Sequence, residues 1–156
     1  MDKKTAVLCV LVMFLWLPAL RGQGNDIELS GNGWRKSAVI VAKGLAITSS
    51  HGDTGHRIVR RLPGNDLVLV QVGGRAPAIG PAPTSLDRVY LRGSGWARVT
   101  WHFDGLLTLD CRAISGQSGA GLYDPQGRLV GICIGERGGY AVCQPVSAAI
   151  AGTTLR

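Results

Sequence analysis

Past residue 24 the apolar residues of this chain come in short runs, each closed by glycine, proline or a polar turn, and the sequence holds 23 glycines in 156 residues. Runs this short with turn residues between them build strands rather than helices. Ser37–Ala42 and Leu45–Ser49 read as two strands joined across Lys43-Gly44. Arg57–Leu62 alternates, and Pro63-Gly64-Asn65 turns it into Asp66–Val72. The segment 73–87, rich in proline, alanine and glycine, reads as a linker. A second series follows: Arg88–Leu91, Ala97–Phe103, Leu106–Leu109, Ala120–Tyr123, Arg128–Ile134 and Gly139–Val146. Only Val146–Ala151 invites a short helix. The expectation is an all-β fold of two small antiparallel β-barrel halves, about 30–75 and 88–152, within one domain over 25–156.

Residues 1–24 stand apart. Lys3 and Lys4 precede an apolar run from Thr5 to Leu20, followed by Arg21-Gly22-Gln23-Gly24. A basic start, an apolar middle and a small-residue exit make a signal peptide, with cleavage after Gly22 or Gly24 and a secreted or periplasmic product. The run is short for a membrane span, which needs about 20 residues. The alternative is an anchor retained over residues 5–20. Cys9 lies too early in the run for a lipoprotein cleavage site.

Hydrophobic residues make up 46% of the chain and charged ones 17%, enough for a packed core and too apolar for a disordered chain. The formal charge is +7, and removing Lys3, Lys4, Arg21 and Asp2 with the leader leaves about +5. Arg57, Arg60 and Arg61 come nearest to a cluster, but an alternating strand sets Arg60 on the face opposite the other two. No aromatic platform interleaves with the basic residues, so no specific nucleic-acid partner is expected. Cys111, Cys133 and Cys143 remain after the leader, an odd count that allows one disulfide and one free thiol. None forms a C-x-x-C pair and no histidine stands at ligand spacing, so neither a metal nor another cofactor is expected.

The chemistry concentrates at Gly116-Gln117-Ser118-Gly119-Ala120-Gly121. Glycines let the backbone turn sharply and bring its N–H groups near a bound carbonyl. The serine is followed by a short apolar strand, a turn at Asp124-Pro125-Gln126-Gly127, and a second apolar strand through Val130-Gly131-Ile132. A serine nucleophile needs a base and a group to orient that base. His51 follows Thr48-Ser49-Ser50, and Asp66 opens Asp66-Leu67-Val68-Leu69. His56, in a loop, and His102, on an alternating strand, are the other histidines. Asp53 is the rival orienter, although an aspartate there suits a loop turn better.

In the order His51, Asp66, Ser118 these segments resemble the trypsin-like (chymotrypsin-fold) serine peptidases, including their compact bacterial and viral members. That family carries a histidine after a small Thr-Ala-Ala-like stretch and an aspartate opening an apolar strand. Its Gly-X-Ser-Gly nucleophile is followed by a hairpin ending in Val-Gly-Ile. The resemblance runs from about Gly31 to about Ile150. It implies a serine endopeptidase acting on polypeptides through an acyl-enzyme on Ser118, with His51 as general base and Asp66 as orienter. The Gly116 and Ser118 amides would form the oxyanion hole. It places Arg112, six residues before Ser118, at the floor or wall of the specificity pocket, beside Ala113 and Ile114. Ile134 and Gly135 would form the strand edge that pairs with the substrate backbone. The three cysteines would surround that pocket, with a disulfide among them whose partners the sequence leaves open.

Two departures from the family pattern are visible. The gap from His51 to Asp66 is shorter than usual, and Ala120 stands where a second glycine is common. A catalytically weak or inactive protease-like binding module is the rival of another class. An esterase of the α/β-hydrolase type is excluded, because Gly116–Ala120 does not satisfy G-x-S-x-G and no histidine follows Ser118.

Overall fold

The computed structural model describes residues 25–52, 54–62, 66–151 and 153, with the backbone alone at Trp101 and His102. The leader and Asp53 lie outside the described residues. Five strands make the first half: β1 (Asp26–Gly31), β2 (Trp34–Ala42), β3 (Leu45–Ser49), β4 (Ile58–Leu62) and β5 (Leu67–Gln71). They pair antiparallel in the order β1-β2-β3-β5-β4. Six strands make the second half: β6 (Arg88–Leu91), β7 (Gly95–Phe103), β8 (Leu106–Leu109), β9 (Gly121–Tyr123), β10 (Leu129–Arg137) and β11 (Tyr140–Pro145). They close into a barrel in the order β10-β11-β8-β7-β6-β9. The one helix described, α1 (Val146–Ala149), follows the last strand. The architecture is all-β and chymotrypsin-like, as the strand pattern suggested.

Strand β1 is an addition to the sequence reading. Its Ile27 and Leu29 alternate with polar residues, Leu29 is buried, and it pairs with β2 from Asp26↔Val39 to Gly31↔Trp34. The hairpin turns at Gly33, whose φ of 78° lies in the left-handed region that a glycine adopts without strain.

Strands β2, β3 and β5 are buried on both faces. Ala38, Ile40, Ala46, Val68 and Val70 point into the core of the first half. Val39, Val41, Ile47, Leu67 and Leu69 point the other way, onto Tyr123, Leu129, Ile132 and Val146 of the second half. This explains why these strands read as unbroken apolar runs rather than as alternating ones. The barrel has its own interior of Val89, Leu91, Val99, Leu107, Leu109 and Leu122, shared with Cys133 and Cys143. Linker residues 78–80 lie along the start of β10, with Leu129 N–H on the Ala78 carbonyl at 2.8 Å and Gly80 N–H on the Leu129 carbonyl at 2.9 Å.

Candidate active site

Two strand ends bring His51 and Asp66 together. The β3–β5 register sets Ser49 opposite Leu67, so the residues just beyond them are neighbours. The Ser50 N–H donates to the Asp66 carbonyl at 2.9 Å and closes that end. The side chains complete the contact. His51 Nδ1 donates to Asp66 Oδ2, and Ser50 Oγ donates to Asp66 Oδ1. An ionised carboxylate only accepts, so the proton of the neutral ring sits on Nδ1 and Nε2 is left as the acceptor. Burial pushes the Asp66 carboxyl up, but the bonds from Ser50 and His51, with the positive charge the imidazole carries when protonated, outweigh it. The net position is below the ordinary carboxylate value. Both side chains are about half exposed, so water screens the pair. His56 is engaged in its own loop, its Nδ1 3.0 Å from the Thr54 carbonyl.

Ser118 sits in the loop between β8 and β9, and that loop is pinned from several sides. The Gln117 side chain is buried; its Oε1 accepts from Ile114 N–H at 2.8 Å and its Nε2 donates to the Arg92 carbonyl at 2.5 Å. The Gly116 carbonyl accepts from both the N–H and the hydroxyl of Ser37, at 3.2 and 2.8 Å. Gly119 donates to the Cys133 carbonyl at 2.7 Å, and Cys133 returns a bond to the Ala120 carbonyl at 2.8 Å.

Gly119 is fixed as glycine twice over. Its φ is 95°, and a Cβ there would land on the Ser37 carbonyl oxygen and stand 3.1 Å from Thr48 Cα. This close approach seats the serine loop on β2 and β3, three residues before His51. Ala120 is buried and outside the left-handed region, so the turn needs no second glycine there.

Around Ser118 the amides divide into bonded and free. Gln117, Gly119 and Ala120 all donate to carbonyls. Among the described residues the Gly116 and Ser118 N–H groups have no acceptor. Free backbone donors on either side of Gln117 are of the kind that can serve an anionic oxygen.

Beside this loop lies a cleft of about 470 Å³ whose lining includes Arg35, Lys36, Ser37, Arg92, Ile114 and Gly116. Arg112 is exposed on its own, with its guanidinium toward the Gly138-Gly139 turn between β10 and β11. Ile134 is half-buried, and Gly135 has a φ of 147° at a bulge in β10. Strand β9 pairs with β10 only as far as Ile132, and no described strand covers that edge beyond it. Cys133 and Cys143 are direct cross-strand partners, and all three cysteines are free thiols. Burial and the charge of Asp110 push the Cys111 thiol up to about 11, so it is protonated and unreactive near neutrality. No metal-binding group of three His, Cys, Asp or Glu side chains occurs among the described residues.

The sequence reading did not single out Ser50, Gln117 or Lys36. Ser50 precedes the histidine and could have been found as a hydroxyl one residue from the base. Gln117 and Lys36 act across the fold, through partners 25 and 15 residues away.

No family model matches the sequence, and no curated relative matches it. Solved structures do. The serine endoprotease from Yersinia pestis superposes with a TM-score of 0.73 at 18% identity, over 87% of this chain and 64% of that one. The Rv3671c protease of M. tuberculosis, in an inactive form, gives 0.68 at 16%, over 86% and 91%. The HtrA-type protease AlgW, solved with a tripeptide, gives 0.65 at 18%, over 85% and 61%. The chain thus spans less than two thirds of the length of the Yersinia and AlgW proteins. At such identities the likeness is one of fold: this chain has the chymotrypsin-like all-β fold that these proteins share.

Proposed function

We propose that the chain is a serine endopeptidase that hydrolyses peptide bonds through an acyl-enzyme on Ser118. One observation carries the reading: an imidazole bonded through Nδ1 to a carboxylate, in the same fold as a glycine-bounded serine loop with two free amides. In this reading His51 Nε2 takes the Ser118 proton as Oγ attacks the scissile carbonyl, then gives it to the leaving amine. Asp66 holds the ring and stabilises the imidazolium. The Gly116 and Ser118 amides receive the oxyanion, each worth a factor of about 10² to 10³ in turnover. Water then attacks the ester by the same route in reverse. The free β10 edge from Ile134 suits a substrate held in extended form.

The test is kinetic. Ser118→Ala and His51→Ala should each abolish hydrolysis in a folded protein, and the double variant should lose no more than either single one, because the pair acts as a unit. Turnover retained in Ser118→Ala contradicts the reading. A folded wild type that binds peptides without cleaving them favours the binding module.

Within this reading Arg112 sets the specificity at the cleaved residue. A fixed guanidinium disfavours a lysine or arginine side chain there and can pair with an acidic one. Peptide-library profiles of wild type and Arg112→Ala should differ most at acidic residues. Identical profiles, or wild-type cleavage mainly after Lys or Arg, would remove Arg112 from the pocket.

A further inference from the structure

Lys36 lies on β2, and a lysine in a strand of a small domain normally reaches solvent. This one does not. Its residue is only 8% exposed, and its ammonium turns under the loop that carries His51. Nζ donates to the His51 carbonyl at 2.6 Å and to the Ser49 carbonyl at 3.2 Å. It stands 3.9 Å below the position a Cβ on Gly52 would take, and 5.8 Å from the centre of the Trp34 ring. Gly52 has a φ of 73°, so the chain reverses directly over the ammonium.

A buried ammonium is tolerable only where acceptors surround it. Two of its acceptors are the carbonyls on either side of Ser50. The ammonium therefore fixes the backbone at both ends of Ser50-His51, the two residues whose side chains bond Asp66. Its charge-assisted bonds are stronger than neutral ones. His51 and Gly52 are exposed and β3 ends at Ser49, so the ammonium holds from below a stretch whose outer side faces solvent. The neighbouring strand β2 also supplies the Ser37 N–H and hydroxyl that hold the Gly116 carbonyl. Consecutive residues of one strand thus grip the base loop and the nucleophile loop.

We infer that Lys36 is a positioning residue for the catalytic machinery, setting the place of the His51 imidazole through the His51 and Ser49 carbonyls. The inference rests on the peptidase reading for its catalytic consequence, and on geometry alone for its effect on His51. Misplacing a catalytic group by about 1 Å costs on the order of 100-fold in rate, so the loss on removing this clamp is set at about 10- to 100-fold.

Lys36→Met keeps the apolar stem and removes the donors; Lys36→Arg restores donors. Two readouts are taken: steady-state kinetics on a peptide substrate, and the far-downfield proton resonance of the His51 Nδ1–H bonded to Asp66. Lys36→Met should lower kcat about 10- to 100-fold with KM within about twofold of wild type, and should shift or broaden the resonance. Lys36→Arg should recover part of kcat and return the resonance. A folded Lys36→Met protein with wild-type kcat and an unmoved resonance overturns the inference, as does a loss confined to KM. Should Lys36→Met fail to fold, Lys36→Gln, which withdraws the ammonium, takes its place: a folded variant with lowered kcat and a shifted or broadened resonance supports the clamp, and a folded variant with both unchanged overturns it. The resonance exists whether or not peptide is cleaved. A wild type without turnover, whose resonance still depends on Lys36, sinks the peptidase reading and leaves the positioning of His51 standing.

Discussion

Asp66 accepts from two side chains at once, Ser50 on one oxygen and His51 on the other, and these two hydrogen bonds lower its carboxyl below the ordinary value despite the cost of burial. A carboxyl lowered in the folded state stabilises the fold only while it is ionised. That contribution is fully present above the unfolded value of about 4 and is lost as pH falls through the lowered folded-state value. Asp66→Asn should therefore cost stability near neutral pH, and the gap to wild type should narrow below about pH 4. The pair is half exposed, so the stability effect is small and shrinks further with salt. The kinetic effect is not small. An amide cannot hold the ring in the same tautomer, and turnover should fall by up to about 10⁴. Thermal melts of both proteins from pH 3 to 7, with kcat at pH 7, check this. A gap that widens toward acid, or an unchanged kcat, contradicts the role given to Asp66. At this scale the His51–Asp66 contact was legible because each residue stands at a strand end, and the Ser118 loop because glycines bound it. Lys36 and Gln117 were not, since a lysine in a strand reads as solvated and a glutamine in a loop reads as neutral. Their partners are set by the fold.

At the scale of elements, β1 shows where sequence patterning runs out. Two alternating apolar residues give too weak a signal, yet the strand docks a carboxylate behind the serine loop. Asp26 accepts from the Gly121 N–H at 2.7 Å and from the buried Tyr123 hydroxyl. Burial pushes the Asp26 carboxyl up against the lowering effect of these bonds, and burial together with the neighbouring Asp26 pushes the Tyr123 hydroxyl well above its usual range. A raised carboxyl works opposite to Asp66: its favourable contribution is largest in acid and is lost as pH rises through the folded-state value. Asp26→Ala strands two buried donors, each costing about 1–3 kcal/mol. Gly121 is three residues from Ser118, so turnover should fall along with stability. Asp26→Asn keeps an acceptor for Gly121 and should lose less of both. A denaturant series on the two variants tests this, and equal stability of Asp26→Ala and wild type would refute it. Strands β2, β3 and β5 were legible for the opposite reason, since burial on both faces writes a continuous apolar run.

Across the whole molecule, the two halves meet on an apolar face made by Val39, Ile47 and Leu69 from one and Tyr123, Leu129 and Ile132 from the other. That contact sets the serine loop against the strands leading to His51, with Gly119 at the seam. The succession of short strands could be read from turn residues. The seam could not, because it depends on which apolar face of each strand turns toward the partner half. The seam leads to the account's central claim, that Ser118 is a nucleophile activated by His51 and faced by two free amides. The most direct measurement is the intact mass of the folded protein after treatment with a fluorophosphonate, with the modified residue mapped by peptide sequencing. The account predicts one phosphonyl adduct per chain, on Ser118, absent in Ser118→Ala and strongly slowed in His51→Ala. A folded protein that takes up no adduct, or carries it on another residue, contradicts it.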